Sequence, residues 1–411
     1  MCDFLTGMRR CNVLWHAVLV ACFSGAAGIS NAGLRGSTQH VSANVQNGST
    51  PIQFHSVRGV EPPGTSSVPF TTNGTTSLYR APRVYFLFLA VDKISNLDIW
   101  LRFFSEAPTE QYRAYVHCKL PSCTAMLQNT PFKVVDTVPS YYCSDLVSPM
   151  NQLLSVAHRD SNDGASSDGD QFTYVSDSSL PAKPFREVYK TLSQRSSSAF
   201  CIFPPSEWAD VQGTSEGLEM ALKHHQWLTL SKAQAAKAVE LWSAGIMHNF
   251  MSMFRMNTQP YTWANNTFAD GRNYGCLDEF WHMAALYGTL GPVNAFSDSS
   301  LSLDLFVGSP LHVSRAVGWQ GRCDTFVMWP QYLKSPGYNP FSTFYATLDE
   351  PSVPHSGNMH RPGWWDTMSR RGMMALRHSE FLFARKFIDK PTLSDGDADF
   401  TSAYYLLVLA A

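Results

Sequence analysis

The run Val84–Val91 (VYFLFLAV) constrains this chain more than any other feature. It is a continuous apolar stretch of strand length, and a strand of that kind is buried on both faces. A helical stretch follows over Asn96–Glu106, then strand candidates at Tyr112–His117, Phe132–Val135, Phe172–Val175 and Ala199–Phe203. A helix from about Pro184 to Ser193 separates the last two. Strands alternating with helices predict βαβ units and a mostly parallel sheet flanked by helices. No internal repeat interrupts the pattern.

Composition narrows the setting. The 411 residues allow two or three domains, or one large α/β domain with appendages. With 31 basic against 33 acidic residues, the chain lacks the basic excess of a nucleic-acid binder. Its 44% hydrophobic content is too high for a disordered chain. Charged residues make up only 16%, below the roughly 25% of ordinary soluble domains.

Part of that low charge lies at the N-terminus. Arg9 and Arg10 precede an uncharged run from Cys11 to Ile29, just long enough for a bilayer core of about 30 Å. The arginines predict a cytosolic tail over residues 1–10 and a lumenal remainder. The small residues Ala26, Ala27 and Ala32 equally suit a signal-peptidase cut, so anchor and cleaved signal peptide both stay open. Residues 31–80 are rich in Ser, Thr, Gly, Pro and Asn and read as a flexible stem before a domain at 81–411. Asn47, Asn73 and Asn265 begin glycosylation sequons. Past the N-terminal segment stand Cys118, Cys123, Cys143, Cys201, Cys276 and Cys323. An even count suits an oxidising compartment with up to three disulfides, or buried free thiols; spacing does not give the pairing.

Two later helices are marked. Ser231 is placed to cap one with Ala235, Ala238, Val239 and Trp242 on its inner face. The other starts near Leu277 and aligns Phe280, Met283, Ala284 and Tyr287, with Asp278 and Glu279 in its first turn. Several motif matches fail on context. Gly213-Thr-Ser-Glu-Gly217 fits the nucleophile-elbow pattern but lacks a buried strand before it, so Ser215 reads as a helix-start residue. Asp168-Gly-Asp170 precedes its strand and Asp395-Gly-Asp397 lies in polar sequence, so both read as solvated loops rather than metal ligands. His355 and His360 have no third ligand and read as surface or supporting residues.

The same residues carry a family resemblance. Val84–Val91 with Asn96–Glu106 and Tyr115-Val-His117 resembles the opening of the core-2/I-branching β-1,6-N-acetylglucosaminyltransferases. Phe172–Pro181 (FTYVSDSSLP), Gln226-Trp227-Leu-Thr-Leu230, Cys276-Leu-Asp-Glu279 and Phe381–Phe387 (FLFARKF) resemble that family's later motifs in order and spacing. The likeness spans about residues 82–390 and is closer to the plant-like branch. It implies a GT-A-like α/β fold, a Golgi type II membrane protein or secreted protein, a UDP-sugar donor and a glycan or glycoprotein acceptor. It further implies inversion at the anomeric carbon with no metal and no cofactor. Donors of GlcNAc and of xylose differ only in pocket details, so a xylosyltransferase-like member is the rival within the class, and a catalytically dead glycan-binding protein is the rival reading from another class.

An inverting transfer needs a base for the acceptor hydroxyl and cations for the departing diphosphate. On the resemblance Glu279 is the base, while Asp278 caps and orients the helix start. Lys386 is the first cation, Arg385 its ambiguous neighbour and Arg361 a further candidate in a loosely spaced loop. His117 and Asp177 sit where strand ends would approach the nucleotide. Trp329 is placed to stack on an acceptor sugar, and Trp227 is read as structural. Two departures stand out: Cys118 and Lys119 replace an Asp that similar enzymes carry after the histidine, and Pro204–Leu222 replaces a basic loop.

Overall fold

The computed structural model describes residues 80–142, 145–163, 166–203, 209–214, 217–245, 276–287, 319–330, 333, 339–356 and 361–410. The candidate span Cys11–Ile29, the three sequons, Ser215 and His360 lie outside these residues. The strands are β1 (Val84–Ala90), β2 (Tyr112–Cys118), β3 (Phe132–Val135), β4 (Gln171–Ser176), β5 (Ser179–Pro181), β6 (Ser198–Phe200) and β7 (Ala209–Thr214). There follow β8 (Gly217–Ala221), β9 (Thr229–Ser231), β10 (Trp319–Gly321), β11 (Thr325–Val327), β12 (Trp365–Met368), β13 (Phe383–Arg385) and β14 (Phe387–Leu393). The helices that position the site are α1 (Leu97–Ser105), α2 (Pro121–Met126), α3 (Val147–Asn162), α4 (Phe185–Ser193), α5 (Lys232–Ser243) and α6 (Trp281–Tyr287).

One sheet in the order β10-β6-β9-β4-β1-β2-β3 forms the centre. Every pairing in it is parallel except those of β9, which runs against both β4 and β6. The mostly parallel α/β sheet read from the sequence is therefore present, in a Rossmann-like arrangement. β1 is its hub because alternate residues feed two cores. Val84, Phe86 and Phe88 pack with Trp100, Phe103 and Phe104 of α1 and Phe185 and Val188 of α4. Tyr85 and Leu87 meet Met150, Leu153 and Leu154 of α3 and Ala235 and Ala238 of α5. Each fully buried Phe of this kind contributes about 1.5–3 kcal/mol, so a polar substitution in β1 strikes both layers.

The chain steps from β1 to β2 to β3, then returns through α3 to place β4 on the other side of β1. Loops leaving the carboxyl ends of β1 and β4 thus diverge, and such a switch point opens a crevice where ligands of α/β sheets bind. A small sheet, β11-β13-β5, brings the end of β13 to that crevice, with Arg385 opposite Ser179. A two-stranded sheet of β12 and β14 backs it, and β7 and β8 form an antiparallel hairpin.

Several expectations need correction. The sixteen-residue helix α3 was not expected. Asp170 is not solvated: it is fully buried, accepts the Arg80 guanidinium at 2.7 Å and the Arg83 N–H at 2.8 Å, and so ties the residue read as the stem's last into the fold. Asp395 is exposed but engaged, accepting the Arg370 N–H at 2.9 Å. Ser231 occupies the position before α5 without a side-chain capping bond, because it also ends β9. Of the elbow-like segment, Gly213 and Thr214 end β7 and Gly217 begins β8, so strands flank Ser215 on both sides. His355 pairs with Asp366 at 2.8 Å.

Disulfides join Cys118 to Cys123 and Cys201 to Cys323, and Cys276 is disulfide-bonded as well. Such bonds persist in oxidising compartments and point to a lumenal or extracellular protein. Among the described residues no helix is long and apolar enough to cross a membrane.

Candidate functional site

The carboxyl end of β4 runs into the turn Ser176-Asp177-Ser178. The Asp177 N–H donates to the Leu89 carbonyl of β1 at 3.0 Å, and the Asp177 carbonyl accepts the Ser95 N–H at 2.8 Å. The turn is closed by Ser178 N–H to Ser176 Oγ at 3.0 Å. Burial raises the Asp177 pKa, against the pull of Arg385 and then Lys386. Its position therefore follows from strand pairing, and its electrostatics from cations brought in by β13.

Arg385 ends β13 and turns inward. Its Nε donates to Ser176 Oγ at 3.0 Å, and its guanidinium lies over the Trp227 ring at 4.7 Å from the centroid. Trp227, read as structural, is the platform beneath this cation. Desolvation lowers the Arg385 pKa, while Asp177, Tyr142, Asp278 and Glu279 oppose the shift in that order. Lys386 is exposed, and the Trp365 N–H donates to its backbone carbonyl at 2.8 Å. Partial desolvation of its ammonium lowers its pKa first, then Arg385, with Arg361 adding to the effect and Asp177 opposing it. Lys386 thus feels two further cations, Arg385 and Arg361. Like charges raise one another's energy, and a diphosphate would relieve that cost.

Glu279 closes a one-turn 3-10 helix, Leu277–Glu279, just before α6. Its Oε2 accepts the Cys276 N–H at 3.0 Å and lies 3.6 Å from Lys223 Nζ. Its backbone carbonyl accepts the His224 N–H at 2.7 Å. The Lys223 ammonium in turn sits over the Phe203 ring, 4.3 Å from its centroid. Asp278 does not cap the helix start as expected. That bond belongs to Glu279, and the Asp278 carboxyl is buried at 2% exposure within charge range of Glu279 and Arg385, with Oδ1 lacking any hydrogen-bond partner. Burial and then the Glu279 charge push its pKa up to about 8.

The remaining predicted residues divide. Trp329 is half-buried and meets Phe203 edge-on at 6.2 Å, so it connects to Glu279 through Phe203 and Lys223. Its indole Nε1 has no partner. His117 is buried at the end of β2, where Nε2 accepts the Val138 N–H at 3.0 Å; burial lowers its pKa. Its ring is taken up by backbone rather than grouped with the cations. The sequence reading missed Lys223, Ser176 and Tyr142. The Tyr142 phenol lies in charge range of Arg385, Glu279, Asp278 and Arg361. An aromatic in polar sequence was the signal for Tyr142; Lys223 carried none.

Arg385, Lys386, Arg361, Asp177, Asp278 and Glu279 are thereby brought to one edge of the sheet. Among the described residues no group of three or more His, Cys, Asp or Glu could hold a metal ion. No family model matches the chain, and no curated protein matches it.

Proposed function

We propose that the protein is an inverting glycosyltransferase with a GT-A-like fold, moving a sugar, GlcNAc first among candidates, from a UDP donor to a glycan or glycoprotein acceptor in the Golgi lumen. The observation that carries this reading is the gathering of Arg385 and Arg361 within charge range of Lys386, with the Glu279 carboxylate in range of Arg385. Such cations can neutralise a leaving diphosphate without a metal ion.

In that reaction the acceptor hydroxyl gives its proton to Glu279 as its oxygen bonds the anomeric carbon from the face opposite the diphosphate. The bond from that carbon to the diphosphate oxygen breaks with its electron pair. The new charge on the leaving group meets the three cations. One displacement inverts the centre. A xylosyl donor would use the same machinery.

A second reading, a catalytically inactive glycan-binding protein on this fold, draws on His117 and Cys118. The first ring is occupied by Val138, and the second residue is held by Cys123 where similar enzymes carry Asp. Turnover of UDP-GlcNAc and UDP-xylose by the full-length chain, with and without EDTA, separates these readings. The transferase reading expects turnover that survives EDTA and falls roughly 10²–10⁴-fold in Glu279→Gln, with UDP affinity kept. No turnover from either donor would favour the binding protein, and loss with EDTA would remove the metal-free mechanism.

A further inference from the structure

Two carboxyl groups adjacent in sequence, Asp278 and Glu279, stand in opposite environments. Glu279 is provided for as an anion, with an ammonium at 3.6 Å and a backbone N–H at 3.0 Å on the same oxygen. Asp278 is buried to 2% exposure and its Oδ1 has no partner. Groups that feel its charge come from every side: Glu279 on its own turn, Arg385 from the end of β13, Asp145 from the turn before α3, and Tyr142 from the loop after β3. Two of these four are acids, and the one cation, Arg385, already bonds Ser176 and stacks on Trp227.

We propose that the two acids divide the labour of one site: Glu279 carries the negative charge, and Asp278 works as an uncharged carboxylic acid that donates a hydrogen bond to a hydroxyl or carbonyl oxygen of the bound sugar. This rests on the transferase reading above and assigns it a further substrate-contacting residue. A buried polar group without a partner costs the fold stability, and such a cost is characteristic of sites that wait for a ligand. A second anion there would repel both the diphosphate and Glu279, whereas a neutral acid repels neither and supplies the donor that a carboxylate lacks. The upward shift of the Asp278 pKa agrees with the neutral form near pH 7.

The linkage has a definite sign. An acid whose folded pKa is raised binds its proton more tightly folded than unfolded, so it removes stability as pH climbs from the unfolded pKa to the folded one. In the full-length protein, Asp278→Asn keeps a neutral donor and removes this loss. Its melting temperature should exceed that of the wild type by a margin that widens from pH 5 to about pH 8 and then levels. A variant less stable than wild type, or a margin independent of pH, would overturn the neutral acid.

Turnover of UDP-GlcNAc and UDP-xylose supplies the second arm. Wild-type activity should fall above about pH 8 as Asp278 ionises, and Asp278→Asn should lack that decline. At pH 7 the Asn variant should keep activity within roughly tenfold of wild type, while Asp278→Ala should lose at least about tenfold more. An Asn variant as impaired as the Ala variant would overturn the donor role. If the wild type turns over neither donor, the transferase reading fails. The thermal arm then upholds or overturns the neutral acid by itself.

Discussion

Asp278 and Asp324 are the same residue type with the same 2% exposure, yet their carboxyls shift in opposite directions. Asp324, just before β11, holds Arg195 by a two-pronged pair at 2.6 and 2.8 Å and accepts the Thr229 hydroxyl at 2.9 Å. Burial raises its pKa, but the Arg195 charge and hydrogen bond, with Arg322 and Thr229, outweigh that and leave it below the ordinary value. Asp170, at the amino-terminal edge of the sheet, is satisfied in the same manner by Arg80 and the Arg83 N–H. At the carboxyl edge a backbone hydrogen bond and Arg385 oppose the burial of Asp278 but do not outweigh it. Burial alone therefore does not decide what a charge does here. Saturated charges join elements of the fold, whereas Asp278 is left undersaturated within charge range of Glu279 and Arg385.

The largest effect should come from removing a saturated acid. Asp324→Ala leaves Arg195 buried without its partner, which should cost about 3–5 kcal/mol and be read as a lower urea midpoint at unchanged slope. The pH dependence also separates the two acids. The depressed pKa of Asp324 gives stability that is present above the unfolded value of about 3.9 and lost as pH falls through the folded one. Asp278 removes stability as pH rises through its own window. A milder effect on folding and a stronger one on binding should follow from Arg385→Ala. Its guanidinium is desolvated, so its loss should weaken UDP affinity by roughly ten- to a hundredfold while the urea midpoint shifts far less than in Asp324→Ala. Equal destabilisation by the two variants would break the comparison, because Arg385 would then be a structural cation.

The sequence made one side of this contrast easier to read than the other. β1 was visible because burial on both faces writes a continuous apolar run, which needs no distant partner to interpret. Helix α3 was hidden by its polar residues and by Pro149 in its first turn, although Asp145 accepting the Ser148 N–H at 3.0 Å is a local start signal. Sheet β11-β13-β5 left no trace, since strands of three residues carry no period and β5 pairs with β13 from far along the chain. The motif around Phe381–Phe387 marked Arg385 and Lys386 as a pair. Which of them turns inward was fixed by that long-range pairing, and the less favoured Arg385 is the half-buried one while Lys386 is exposed. Asp278 and Asp324 look alike in sequence because the partners that distinguish them lie 129 and 95 positions from Asp324.

Lys93 and Asp389 provide the smallest expected effect and the cleanest control on distance. Their ion pair is 2.7 Å long, close to the 2.5 Å between Arg80 and Asp170, and it likewise joins distant segments, the loop before α1 and strand β14. The difference is solvent: the two side chains are 37% and 38% exposed, whereas the Asp170 side chain is fully buried. Water and salt screen an exposed pair, and holding a long lysine side chain in place costs entropy. Lys93→Ala should therefore cost less than about 1 kcal/mol, with the difference shrinking further in high salt. A cost approaching that of Asp324→Ala would mean that contact geometry, rather than saturation under burial, separates the charges of this protein.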